Sequence, residues 1–435
     1  MSARDHLSER RPHVLLVAVG TAGDVYPFLR IARDLLARGH TVTLLGVSVH
    51  EDAAARAGVP FHAMGTEAQF QAALEHPDVW HPRKGFRVLW AGMHDHVDAL
   101  PEFIAGLPAE EPLVMLAHPL ALIGAGLARA RRPDLRIVAA WLAPANLRTV
   151  HDPLTIGPLR IPRWMPLAWR RWLWARVDAG LIDKVAVPDI NAARARYGLG
   201  TVRHFVDALQ RTADAHLTLF PAWYGATMPD WPAPLAEGAF ALYDPQLDAR
   251  LPAGLEDFLA AGPAPLVLTP GSGNRQAARW LARALEAAWR LGRRALVLTP
   301  LRGQVPATLP EGVLWLPYVP LRPLLPRAAA LVHHGGIGTT AEALRAGVPQ
   351  VIVPLANDQF DHAARVTALA AGCGLAGGAA GARPRALALA LERLLTSPDI
   401  RDGCARAARL AAADAGFDLA GRAALLLGLG ADGAI

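Results

Sequence analysis

Lysine is nearly missing from this chain. Of 435 residues only Lys84 and Lys184 carry an ammonium group, so the net charge of +6 rests on arginine. The arginines are dispersed through Ala- and Leu-rich segments and form no basic run, which argues against a nucleic-acid-binding surface. Cysteine is almost as scarce. Cys373 and Cys404 build no disulfide framework and are expected to be reduced core thiols of a cytoplasmic protein. Charged residues make up 19% of the chain against 52% hydrophobic, which excludes disorder and calls for a large core. No apolar stretch reaches the ~20 residues of a membrane span. The run "HVLLVAVG" (13–20) is short and ends in a glycine turn, so a first strand is expected there rather than a leader peptide.

What is abundant is a rhythm. Apolar runs at 13–20, 41–47, 112–118, 136–142 and 215–221 alternate with amphipathic stretches such as 25–40. Fully apolar strands separated by helices imply parallel sheets covered on both faces. The rhythm restarts at "PLVLTPGSG" (265–273) and continues through 294–300, 313–320, 329–336 and 348–355, with helices expected at 276–291, 339–346, 361–371 and 384–396. The fold class is therefore α/β: two Rossmann-like, doubly wound domains facing a cleft. The N-terminal domain is expected over 1–222 and the C-terminal domain over 241–435, its last helix able to pack back on the first. The Pro- and Gly-rich segment 223–240 is expected to be the linker.

The stretch "HHGGIGTTAEALRAGVPQVIVPLANDQF" (333–360) follows a strand and opens a helix. Gly335, Gly336 and Gly338 leave room for backbone N–H groups to approach an anion, and the helix start points its dipole at the same place. Thr339 and Thr340 are placed to cap the helix or donate to phosphate. Either histidine adds a donor. Such an arrangement stabilises a diphosphate leaving group without a metal. In the first half, "GTAGDVYPF" puts Asp24 at a strand end, where a carboxylate either caps the helix or takes a proton from an attacking hydroxyl.

The glycine-histidine signature, with Glu342 and the Asp358-Gln359 pair, resembles the donor-binding motif of GT-B glycosyltransferases, the family of sterol, antibiotic and glucuronosyl transferases. The resemblance implies that Gly335, Gly336, Gly338 and Thr339 hold a nucleotide diphosphate, with Ser272 of "TPGSGN" nearby. It implies that Asp358 and Gln359 take the sugar hydroxyls, that Trp315, Val319 and Glu342 adjoin base and ribose, and that Asp24 is the general base of an inverting single displacement. Spacing back from Glu342 favours His334 as the phosphate ligand, while position just after the strand favours His333; both stay candidates.

Over residues 13 to 371 the chain further resembles the rhamnosyltransferase of rhamnolipid synthesis, carried by "HPDVWHPRKGFRVLW", "PDINAARARYGL" and "LFPAWYGATMPDWPAPL". That implies dTDP-L-rhamnose as donor and a 3-(3-hydroxyalkanoyloxy)alkanoate as acceptor. The expected partners are this nucleotide sugar, as co-substrate with no further cofactor or metal, and a lipid-like hydroxy acid. Trp80, Phe86, Trp90 and Trp164 are the candidate acceptor residues. Trp164, Trp169, Trp172 and Trp174 fall within eleven residues, interleaved with arginine, and suit either a domain-packed helix, an acceptor pocket or a peripheral contact with a membrane. The rivals are a UDP-glucose-dependent enzyme for sterol-like or polyketide acceptors, a GT-B epimerase, and a non-catalytic sugar-nucleotide-binding subunit.

Overall fold

The apolar runs pair as two all-parallel sheets, and their residues explain why. In the computed structural model, which describes residues 11–430 other than 153, 154, 158, 247–250 and 376, β1 is His13–Val17. Leu15 and Val17 enter one apolar core while Val14 and Leu16 enter another, on the opposite face of the sheet. A strand with both faces covered can carry no polar alternation. Burying each such side chain stabilises the fold by roughly 1.5–3 kcal/mol.

The first sheet continues with β2 (Val42–Gly46), β3 (Phe61–Ala63), β4 (Leu113–Ala117) and β5 (Arg136–Trp141). A short antiparallel hairpin, β6 (Thr155–Ile156) and β7 (Leu159–Arg160), stands apart from it. The sheet is completed by β8 (Ala215–Thr218) and β9 (Leu235–Ala236), giving the order β3-β2-β1-β4-β5-β8-β9. Segment 223–240 is thus more than a linker: its residues Leu235–Ala236 form the edge strand paired with β8.

The second sheet comprises β10 (Leu266–Thr269), β11 (Ala295–Leu298), β12 (Val313–Leu316), β13 (Ala330–His333), β14 (Gln350–Ile352) and β15 (Gly372–Gly374). Their order is β12-β11-β10-β13-β14-β15. Again the faces part, with Leu266 and Leu268 in one core and Val267 in another. The C-terminal helix Leu419–Leu427 leaves the second domain and packs in the core of the first, with Leu419, Ala420, Ala423 and Leu427 beside Val14 and Phe28. Both cysteines are free, and burial pushes both thiols upward.

In each sheet the winding reverses between the first strand and its crossover neighbour. Val17 lies opposite Ala117, and Thr269 lies opposite His333. Chain ends leaving such a reversal point splay apart and open a crevice at the carboxyl edge of the sheet. The residues following β1, β4, β10 and β13 are therefore delivered to one place.

Candidate active site

Between the two sheets lies a cavity of about 930 Å³. That is at the upper end of the roughly 300–1,000 Å³ typical of small-ligand sites. Its wall takes Gly20–Asp24 from the end of β1, His118 from β4, Gly271–Asn274 from β10, and His334 with Gly336–Thr339 from β13.

Asp24 sits at the third position of helix Ala22–Ala37 and is both cap and cleft residue. Its Oδ2 accepts from the Thr21 N–H at 2.7 Å and from the Thr21 hydroxyl at 3.1 Å. Oδ1 takes part in neither bond, and the side chain is 37% exposed. The neighbour of Oδ1 is His118, a residue with no signal in the sequence. The His118 Nδ1 accepts from the Leu120 N–H at 3.2 Å, so Nε2 carries the proton and points at Oδ1 from 3.7 Å. Gly20 has φ +130°, and a Cβ there would lie 2.3 Å from the Asp24 carboxylate. Glycine is thus required both by the backbone and by the acid it faces.

Across the cavity the two histidines divide their work. His333 is fully buried. Its Nδ1 accepts the Gly335 N–H at 3.2 Å, and its Nε2–H donates to Gln350 Oε1 at 2.8 Å. Both ring nitrogens are spent inside the fold, and His333 does not reach the cavity wall. The proposal of His333 as a phosphate ligand is corrected accordingly: a residue at the end of a central strand points into the sheet's own core. Gly335 also lies behind the wall, at φ +99° with Ile352 against it, and serves the turn. His334 does line the cavity. Its imidazole is wedged between Gly271 and Gly336, where added Cβ atoms would fall 2.4 and 2.5 Å from the ring, and its Nδ1 is buried without a partner among the described residues. Burial brings His334 down to about 4 and His333 to about 3. Both rings are therefore neutral at neutral pH, and His334 meets an anion as an N–H donor rather than as a cation.

Gly336 caps the helix Ile337–Ala346, whose first N–H groups belong to cavity residues Ile337, Gly338 and Thr339. A helix of ten residues starting at a cavity is an anion cradle. Ser272 lies on the same wall. Thr340 is diverted, its hydroxyl donating to the Gly336 carbonyl. Val319 and Glu342 line the wall, Glu342 held by Arg345 at 2.6 Å. Trp315 does not: from β12 its Nε1 donates to the carbonyl of Thr299, just past the end of β11, so that assignment is withdrawn. Tyr318, tied to Asp244 through its hydroxyl, stands in the wall instead.

Asp358 and Gln359 reach the cavity at the start of helix Gln359–Ala368, just after Asn357, a non-glycine residue strained at φ 54°. The Gln359 Oε1 accepts from the N–H groups of Leu355 and Ala356, which leaves its amide NH2 as donor. Behind Asp358 stands a buried chain that sequence reasoning missed. Burial raises the Tyr224 hydroxyl well above its ordinary range, so it keeps its proton and donates to His362 Nδ1 at 2.6 Å. The His362 Nε2–H then faces Asp358 Oδ2 at 3.4 Å. Although burial opposes it, His362 holds the Asp358 carboxyl below its usual value. Tyr224 comes from the linker segment, so the donor-side acid is braced from between the domains.

The N-terminal lobe of the cavity is apolar, walled by Phe70, Leu74, Trp80, Phe86, Met93 and Trp141 among others. Trp80 and Phe86 stand in that wall. Trp90 and Trp164 do not. Trp90 is core, donating its Nε1 to Asp189 at 2.8 Å, because it lies on the inward face of helix Gly85–Ala105. Trp164 is on the surface. Arg148 enters the lobe in their stead, stacked over Trp174 at 3.6 Å, paired with Asp178, and with its Nε unpartnered among the described residues. Among the described residues no three His, Cys, Asp or Glu side chains converge as a metal-binding group.

A profile of the glycosyltransferase family 28 N-terminal domain matches residues 14–97, and one of the erythromycin biosynthesis protein CIII-like C-terminal domain matches residues 295–416. The O-mycaminosyltylonolide 6-deoxyallosyltransferase of Streptomyces fradiae is 31% identical over 81% of this chain and 83% of its own length. The sterol 3-beta-glucosyltransferase UGT80A2 of Arabidopsis thaliana is 26% identical over 82% of this chain and 57% of its own. Among solved structures, spinosyn rhamnosyltransferase SpnG complexed with thymidine diphosphate superposes with a TM-score of 0.63 at 20% identity, covering 92% of this chain and 96% of that one.

Proposed function

This chain belongs to the GT-B glycosyltransferases, and from that premise we propose that it moves a 6-deoxyhexose from a dTDP-linked donor to the hydroxyl of a carboxylate-bearing acyl acceptor. One observation carries the reading. Asp24 and His334 stand on opposite walls of a single cavity that runs on into an apolar lobe containing Arg148.

The acceptor hydroxyl gives its proton to Asp24 Oδ1 as its oxygen bonds to the anomeric carbon. The bond from that carbon to the diphosphate breaks, its electron pair leaves with the diphosphate, and configuration inverts. The N–H groups of Ile337, Gly338 and Thr339, with His334, meet the charge that develops, and no metal ion takes part. Asp358 and the Gln359 amide hold the sugar hydroxyls, while Val319, Tyr318 and Glu342 flank the nucleoside. The names of the relatives support a deoxysugar and a thymidine diphosphate.

Within that class, dTDP-L-rhamnose and a 3-(3-hydroxyalkanoyloxy)alkanoate, giving a mono-rhamnolipid, are the pair favoured by the N-terminal sequence motifs. Arg148 supports the same choice, because a guanidinium in the lobe wall, paired with Asp178 on one side and with an Nε unpartnered among the described residues, suits a fatty carboxylate. The second reading is glycosylation of a polyketide or sterol alcohol, with a dTDP- or UDP-linked sugar, favoured by what the relatives are named for. Those acceptors present no carboxylate. Arg148→Met decides between them: KM for the hydroxyalkanoyl acid should rise at least tenfold, while its methyl ester is turned over as by the parent. Equal effects on acid and ester, or activity confined to polyketide or sterol alcohols, would refute the acid-acceptor reading.

A further inference from the structure

Helix Leu167–Val177 is inside out. Its buried residue is Arg170, whose guanidinium donates to the carbonyls of Met165 and Val150, both at 2.9 Å. Two of its three tryptophans face the other way: Trp169 is 65% exposed and Trp172 59%. Trp164 and Leu159, just before the helix, are 81% and 69% exposed. Four large apolar side chains in one short segment are exposed with nothing among the described residues covering them, which is uncommon on a monomer.

The charges around them are of one sign. Residues 153–177 contain five arginines and no acid. Arg160, Arg163, Arg171 and Arg176 are exposed, and among the described residues none meets a carboxylate. The flanking acids Asp152 and Asp178 are both taken, by Arg365 and Arg148. On the helix, Trp169, Trp172 and Arg176 share one face at spacings of three and four, and exposed Arg171 lies about 100° further round from Trp172.

We propose that this face docks on an anionic lipid bilayer. Tryptophan settles at the headgroup boundary, where its ring is in apolar surroundings and its N–H is wet, and arginine beside it pairs with lipid phosphates. Among the described residues no helix is long and apolar enough to cross a membrane, so the contact is peripheral. The inner side of the same helix supplies Trp174 to the acceptor lobe. The docking surface and the lobe are two sides of one helix, so an acyl acceptor has a short path from the bilayer to Asp24. That last step rests on the acceptor reading above, whereas docking itself does not.

The test is co-sedimentation of the full chain with vesicles of phosphatidylcholine alone and of phosphatidylcholine mixed equally with phosphatidylglycerol. Binding is expected to the mixed vesicles only, weakened by salt, with a blue shift in tryptophan emission. Trp169→Ser/Trp172→Ser and Arg171→Glu/Arg176→Glu should each bind at least about tenfold more weakly, the order expected for two anchoring residues at an anionic leaflet. Their rates on a detergent-solubilised acceptor should be unchanged, which separates loss of docking from loss of catalysis. Absence of binding to the mixed vesicles, or variants that bind like the parent, would overturn the proposal. So would a lipid-free dimer, seen by sedimentation velocity, that the tryptophan double variant dissociates.

Discussion

Asp24→Asn isolates chemistry from architecture. Asparagine keeps an oxygen where Oδ2 accepts from the Thr21 N–H and hydroxyl, so the helix start survives. What changes is the atom at Oδ1, from a free carboxylate oxygen to an amide NH2 beside the protonated Nε2 of His118. An amide cannot take the acceptor's proton. General-base contributions of about 10²–10⁴ in rate correspond to roughly 3–5 kcal/mol of barrier. The cost to folding is the difference between two good capping groups, about 1 kcal/mol or less. The expected result is a kcat lowered at least about a hundredfold, with dTDP affinity and melting temperature near those of the parent. Initial rates of dTDP release, titration calorimetry with dTDP and a thermal melt read the three quantities. A rate within about threefold of the parent would remove Asp24 from the chemistry. A parallel loss of dTDP affinity would show that the change had reached the donor side. Gly20→Ala supplies the converse, pressing a methyl group on the same carboxylate, and should lower kcat by displacing the carboxyl group rather than removing it.

His334→Ala should weaken dTDP binding, read by calorimetry, because it removes the cleft-facing donor, whereas His333→Ala should leave dTDP affinity intact and lower stability by about 1–3 kcal/mol through the orphaned Gln350 and Gly335 groups. Tyr224→Phe should raise KM for the nucleotide sugar without changing affinity for dTDP, since only the brace behind Asp358 is cut; equal effects on both would rule that brace out. Acid should destabilise the fold early. The folded-state values of His333 (about 3), His334 (about 4) and His216 (about 4) all lie below the ordinary 6.5, so the unfolded chain binds protons that the folded chain refuses. Stability should be flat above pH 7. Between about 6.5 and 4 it should fall by up to about 1.4 kcal/mol per pH unit for each histidine. Denaturant melts across that range check it, and a flat profile down to pH 5 would refute it.

The strands the sequence announced are mostly the central ones, where both faces are buried and a run such as "HVLLV" has no other use; the edge strand Val313–Leu316 was legible as well, because its apolar run is four residues long. The strands it concealed are edges: Phe61–Ala63, Leu235–Ala236 and Gly372–Gly374 are two or three residues long and carry no pattern. They form because a neighbour offers a row of backbone partners, which is a property of the sheet. Likewise the glycine turns were legible, since φ above zero and a bare helix start leave a mark on residue type.

Which of two adjacent histidines faces the cleft was not legible. That depends on where β13 ends within its sheet, and Gln350 and Gly335 settle it by occupying both nitrogens of His333. His118, Arg148 and the Tyr224–His362–Asp358 chain were hidden for the same reason, their partners lying 94, 30 and 138 residues away in one or another contact. Local sequence therefore determined the backbone machinery of the site, because turns and helix starts are made by neighbours in the chain. Tertiary structure alone decided which side chains complete it, because charge and hydrogen bonding act through space and the crossings of two sheets choose what meets.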